Sequence, residues 1–65
     1  MEWIYIKVEP KRWNEFIELL DSKGIYYDYI GNDIVMIHKL YFILVGKILD
    51  SSTIKSFAST IEGLL

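Results

Sequence analysis

The sequence predicts a small α+β domain, with a mostly antiparallel sheet of about four strands packed with two helices. Three observations predict this class: an alternating apolar stretch at the N-terminus, an amphipathic stretch after it, and a glycine–asparagine pair between two apolar stretches. Alternation with period two is typical of strands, and spacing by three or four residues is typical of helices. The expected order of elements is β-α-β-β-β-α.

The first strand and the first helix have the clearest patterns. In Glu2–Val8 the residues Ile4, Ile6 and Val8 alternate with Trp3, Tyr5 and Lys7, which predicts a strand. Pro10 fits the first turn of a helix, where its missing N–H costs nothing. The helix then carries Trp13, Phe16, Ile17 and Leu20 on one face, and Gly24 is expected just beyond its end.

A β-hairpin is predicted around Gly31-Asn32. Glycine followed by asparagine suits a type II′ turn, which matches the twist of paired strands. This turn places Tyr29 opposite Ile34 and Asp28 opposite Val35, and the pairing continues back to Ile25.

The stretch Leu40–Leu49 has more than one interpretation. Its apolar run LYFILV does not alternate and is rich in strand-forming residues, which favours a third consecutive strand buried on both faces. A continuation of the previous strand and a buried helix remain open alternatives.

The last stretch, from Asp50 onward, spaces Ile54, Phe57, Ala58 and Ile61 as a second helix would. The resulting order does not complete the β-α-β-β-α-β pattern of ferredoxin-like folds, so no function is transferred from them.

The register predicts which side chains face outward. An unpaired carboxylate is costly to bury, so Asp28 marks the outer face, and Ile25, Tyr27 and Tyr29 are expected in the core. The outer face would then carry an apolar patch large enough to be an interface, unless the last helix covers it. Its expected contact residues are Trp3, Tyr5, Tyr26, Asp28, Val35 and Ile37.

Length and composition also favour a partner. The 65 residues form one domain, residues 1–65, and a chain this short buries only about 60% of its surface. With no cysteine it has no disulfide, so a second copy or another protein is the remaining common source of stability.

The lack of cysteine fits a reducing compartment, so we expect a cytoplasmic protein. The longest apolar run is about half of the roughly 20 residues that a membrane span needs.

Candidate chemical groups are few. His38 is the only histidine, and no nucleophile motif surrounds the serines, so a histidine satisfied by a neighbour at a strand end is expected. Glu15, Glu18 and Asp21 recur every three residues along the first helix but lack the loop geometry of a cation site. We expect no enzyme, no cofactor and no metal.

A weak anion site is the alternative. Lys11 and Arg12 lie in the first turn of the first helix, with Lys7 on the preceding strand. Together with the outer aromatic residues they would bind nucleic acid, although a net charge of -2 argues against this.

The favoured function is therefore a non-catalytic protein-interaction module, self-associating through its sheet. Its size and bias towards isoleucine and tyrosine suggest a small phage or mobile-element protein. Such a viral protein would inhibit a host enzyme or defence complex by binding its surface.

Overall fold

The computed structural model describes residues 3–61, and these form an α+β domain, as the sequence predicts. The predicted positions at Glu2 and at residues 62–65 lie outside this range. In chain order the elements are β1 (Trp3–Val8), a 3-10 turn (Pro10–Arg12), α1 (Trp13–Ser22), β2 (Tyr27–Gly31), β3 (Ile34–His38), a second 3-10 turn (Lys39–Tyr41), α2 (Phe42–Asp50), α3 (Ser52–Lys55) and β4 (Ala58–Thr60).

The four strands form one sheet in the order β2-β3-β1-β4, and each neighbouring pair is antiparallel. Apart from the short α3, the element order is β-α-β-β-α-β, the split β-α-β or ferredoxin-like arrangement. The predicted order, and the expectation that it would not complete this pattern, are therefore wrong. Because a fold of this kind hosts many functions, the topology by itself assigns none.

Helix α1 ends where the sequence predicts. The N–H of Gly24 donates to the carbonyl of Asp21 at 3.1 Å, and the N–H of Ile25 donates to the carbonyl of Leu20 at 2.9 Å. Gly24 has a φ of 68°. These bonds form a Schellman motif, which needs a left-handed residue that glycine adopts without strain.

The hairpin between β2 and β3 turns one residue later than predicted. Gly31 lies opposite Ile34, and the two turn residues are Asn32 and Asp33, with φ of 54° and 62°. Positive φ at both positions defines a type I′ turn, which asparagine and aspartate tolerate. An irregularity between Tyr29 and Gly31 then places Tyr29 opposite Val35.

This irregularity reverses the faces of β3. The later turn alone would move each partner by two positions and keep the faces, whereas the irregularity in β2 makes the net change one position. Val35 and Ile37 were expected outside, but both are fully buried in the core. They pair with Ile6 and Ile4 of β1, so the side chains share the inner face of the sheet. The prediction that Val35 and Ile37 form a contact surface is therefore wrong.

The stretch Leu40–Leu49 is mainly helical, so the strand interpretation is wrong and the helix alternative is correct. Its inward side chains have helical spacing: Val45 and Ile48 are buried, and Tyr41, Leu44 and Leu49 pack against them. The apolar residues Leu40, Phe42 and Ile43 are exposed, which hides this amphipathic pattern in the sequence.

The predicted last helix is also wrong for most of its described length. Only Ser52–Lys55 is helical, and Ala58–Thr60 forms β4 along the edge of β1. Beyond β4, the N–H of Ile61 donates to the carbonyl of Tyr5 at 2.9 Å. Backbone pairing with an otherwise open edge outweighs the helical spacing of this stretch.

One core cluster holds the domain together. Phe16 and Leu20 of α1, together with Val45 and Ile48 of α2, belong to the same buried cluster as the inner side chains of the sheet. Both helices therefore cover one face of the sheet. None of the helices within residues 3–61 is long and apolar enough to cross a membrane.

Candidate protein-interaction surface

The other face of the sheet, which we call the open face, is not covered by any helix in residues 3–61. On β1 it carries Trp3, Tyr5 and Lys7, which alternate with the buried Ile6 and Val8. The remaining residues of the open face follow from the strand pairing: Asp28, Ile34, Met36, His38 and Ser59.

The centre of the open face is apolar. Tyr5 lies opposite Met36, and Lys7 lies opposite Ile34. At one end the Trp3 and His38 rings meet edge to face, with centroids 5.3 Å apart and planes at 72°. Neighbouring side chains shield one another, so Tyr5, Met36 and Ile34 are each only partly exposed. The result is one contiguous apolar and aromatic surface across two central strands.

The structure brings together three of the six predicted contact residues. Trp3, Tyr5 and Asp28 lie on the open face, and Asp28 is opposite Met36. Tyr26 precedes β2 and is 68% exposed. Ile34 and Met36 take the places that the sequence assigned to Val35 and Ile37, because the true hairpin register was not predicted.

His38 is held at the end of β3. Its Nδ1 accepts a hydrogen bond from the backbone N–H of Leu40 at 2.9 Å, while its ring contacts Trp3. The prediction of a strand-end histidine satisfied by a neighbour is confirmed. Its role here is to end the strand and to shape one end of the open face.

The three predicted anion-binding cations do not converge. Lys7 points to the open face, whereas the Arg12 guanidinium lies 4.5 Å from the centroid of Phe57, a residue of the core on the helix side. Arg12 also donates two hydrogen bonds to Glu15, at 2.6 and 2.9 Å. Lys11 is exposed in the turn before α1.

The pairing of Arg12 with Glu15 shifts both titrations. The hydrogen bond from Arg12 lowers the pKa of Glu15 below its ordinary value of 4.5, and the same bond raises the pKa of Arg12. Both groups are exposed, so the pair is screened by water and salt. With its charge balanced locally, Arg12 is a poor anchor for an external phosphate.

A second apolar surface was not predicted. Leu40, Phe42 and Ile43 are 77%, 58% and 65% exposed around the start of α2. Beside them a groove of about 270 Å³ runs between α2 and the β1–β4 edge, lined mostly by apolar side chains. The sequence signal for this surface is the apolar run LYFILV itself, which the strand interpretation places in the sheet.

Tyr27 and Tyr29 lie on the helix side of β2, as predicted, but β2 is an edge strand. Tyr27 is half-buried, and Tyr29 is 57% exposed against the ring of Trp13. Tyr29 therefore lies on the predicted side of β2, but the prediction that it is buried in the core is wrong. The two tyrosines instead form a wall of a cleft between β2 and α1.

Comparisons of this chain with protein-family models, with curated proteins and with solved structures find no match. The arrangement of the side chains is therefore the basis for any functional proposal.

Proposed function

We propose that this protein is a non-catalytic interaction module that contacts another protein through its open face. The observation that supports this is the contiguous apolar surface of Trp3, Tyr5, Ile34 and Met36 on a face that no described helix covers. Exposed apolar surface of several hundred Å² on a small domain is typical of an interaction site.

The residue types of the open face favour protein contact. Aromatic residues and methionine are enriched in protein interfaces, and truncation of aromatic anchors is usually the most damaging change there. Tyr5 and Met36 supply such groups in the middle of the face and Trp3 supplies one at its end, while Lys7 and Asp28 lie towards its rim.

The charges of the open face favour a second copy as the partner. Lys7 lies opposite Ile34, and Asp28 lies opposite Met36 on the other side of β3. Two copies can stack with their open faces together, related by a two-fold axis that lies parallel to the sheets and crosses β3 between Ile34 and Met36. In this arrangement Lys7 of each copy lies over Asp28 of the other. Two identical faces are thus complementary in charge, as an isologous interface requires.

The interface would be small. Strands lie about 4.8 Å apart and residues on one face lie about 6.8 Å apart along a strand, so the face measures on the order of several hundred Å². Specific interfaces usually bury about 800 Å² per partner. We therefore expect a reversible homodimer with a dissociation constant in the micromolar range or weaker.

The cellular role that we propose is that of a small phage or mobile-element inhibitor acting in the cytoplasm. It would bind the surface of a host enzyme or defence complex. The support for this role is the small size of the chain and its lack of cysteine.

Site-specific photocrosslinking in the native host tests whether the open face contacts protein. A benzophenone amino acid at Met36 should form adducts with protein, and the same group at the exposed Glu18 of α1 should not. An adduct of twice the chain mass identifies a second copy, and a larger adduct identifies another target. Equal labelling from Met36 and Glu18 would contradict the proposal.

Single-stranded nucleic acid is the second candidate ligand. Trp3 and Tyr5 lie next to Lys7 on a β-sheet, and bases can stack on such residues. Titration with an oligothymidylate at two salt concentrations tests this, since phosphate contacts weaken steeply with salt. Binding at low salt that is lost in Lys7→Ala would favour nucleic acid, and no binding at low salt would exclude it.

A further inference from the structure

A cleft between α1 and β2 lies on the opposite side of the sheet from the open face. It has a volume of about 530 Å³, and its lining includes Trp13, Asn14, Tyr27, Tyr29 and Asp33. Small-molecule sites typically measure about 300–1,000 Å³. The cleft is therefore large enough to admit a small organic ligand or one long side chain.

Three aromatic rings form the walls of the cleft. Trp13 of α1 and Tyr29 of β2 meet at 77°, with their centroids 5.0 Å apart, so the two rings form a corner. Tyr27 lies two residues before Tyr29, on the same side of β2. Because β2 is an edge strand, this corner opens to solvent, and Tyr29 remains 57% exposed.

Among the described residues that line the cleft, Asp33 carries the only charge. Its position is fixed by the hairpin turn, where it has a φ of 62° and its carbonyl accepts the N–H of Val8 at 2.9 Å. The cleft thus combines electron-rich ring faces with one carboxylate.

We propose that this cleft binds a methylated ammonium cation. Ring faces attract a cation that lies within about 6 Å of their centroids, with tryptophan the strongest. A quaternary ammonium has no N–H to donate and is weakly hydrated, so aromatic walls can replace its water shell. Asp33 balances its charge, and Asn14 adds a polar group at the rim.

Choline and trimethyl-lysine both carry this cation, so the first experiment uses both, together with tetramethylammonium. Each is titrated into the 65-residue protein and followed by NMR at the two indole N–H groups. The Trp13 signal should shift with a saturable dependence on ligand, and the Trp3 signal on the open face should not. Tighter binding of choline or of a trimethyl-lysine peptide then distinguishes a lipid headgroup from a modified protein.

The neutral isostere 3,3-dimethylbutan-1-ol separates cation recognition from simple apolar binding. It has the shape of choline without the charge, so it should bind about tenfold more weakly. Equal affinity for choline and this alcohol, or no Trp13 shift with any cation at millimolar concentration, would overturn the proposal.

Variants at the exposed Tyr29 test the wall without disturbing the core. Tyr29→Leu should weaken choline binding about tenfold, and Tyr29→Phe should retain it, because the ring supplies the attraction. Asp33→Asn should weaken binding several-fold. Unchanged affinity in Tyr29→Leu would show that the aromatic wall does not bind the cation.

Discussion

Tyr5 and Met36 lie directly opposite each other on the two central strands, and both point away from the helices. Their pairing makes the middle of the open face apolar, where a one-sided sheet usually presents polar side chains to water. The proposal that this protein binds a partner through its sheet depends on this pair and its neighbours.

Replacing Met36 with lysine should weaken self-association. The new ammonium group would enter the centre of the interface without a partner, so we expect at least a tenfold rise in the dimer dissociation constant. Met36 lies outside the core, so the melting temperature should change little. Light scattering over a concentration series measures the effect, and Glu18→Lys provides the matched control on α1.

Val35 and Met36 are neighbours in sequence on opposite faces, so their alanine variants test the register. Val35 is fully buried, and Val35→Ala should lower the free energy of unfolding by about 2 kcal/mol. A domain of this size has only about 3–10 kcal/mol in total. Met36→Ala should cost less than about 1 kcal/mol. Denaturant titration measures both, and a larger cost at Met36 would contradict the observed register.

Two glycines should respond in opposite directions to alanine. Gly46 lies in α2 with open space where a Cβ would be added, so Gly46→Ala should stabilise the protein by about 1 kcal/mol. Gly31 also has open space but a φ of 93°, so Gly31→Ala should destabilise it by about 1–2 kcal/mol. Thermal unfolding of the two variants measures this difference. Because neither added Cβ meets another atom, any loss of stability in Gly31→Ala comes from backbone strain and not from crowding.

The Arg12–Glu15 pair should give a small pH dependence of stability. The pKa of Glu15 is lowered in the folded protein, so its contribution is present above the unfolded value of about 4.5 and disappears as the pH falls through the folded value. Glu15→Gln should therefore melt slightly below the wild type at neutral pH, and the difference should shrink in acid. A difference that grows below pH 4 would contradict this assignment.

The sequence predicts the first half of the fold better than the second. β1 and α1 combine a clean period with local end signals, and Gly24 supplies both the positive φ and the Schellman hydrogen bonds. The hairpin position depends on a choice between Gly31-Asn32 and Asn32-Asp33 as the turn. Both dipeptides suit a tight turn, but neither reveals the irregularity between Tyr29 and Gly31, and it is this irregularity that reverses the faces of β3.

The second half fails because tertiary contacts decide it. In α2 the exposed Leu40, Phe42 and Ile43 fill positions that an amphipathic helix usually gives to polar residues, so the run resembles a buried strand. In β4 the helical spacing of Phe57, Ala58 and Ile61 is outweighed by pairing with β1. Trp3, Tyr5 and Asp28 were nevertheless placed on the correct face, because the period of β1 and the cost of burying a carboxylate do not depend on the later elements.

Charge reversal within the open face tests the central claim most directly. The Lys7→Asp variant carries an acidic side chain at both position 7 and position 28, and the Asp28→Lys variant carries a basic side chain at both. Each variant alone should sediment as a monomer at concentrations where the wild type is a dimer, because like charges would then face each other.

The decisive measurement is the sedimentation mass of an equimolar mixture of Lys7→Asp and Asp28→Lys. We predict a heterodimer in the mixture, because the acidic pair on one copy meets the basic pair on the other. A mixture that stays monomeric, or single variants that dimerise as well as the wild type, would contradict the assignment of the open face as the interface.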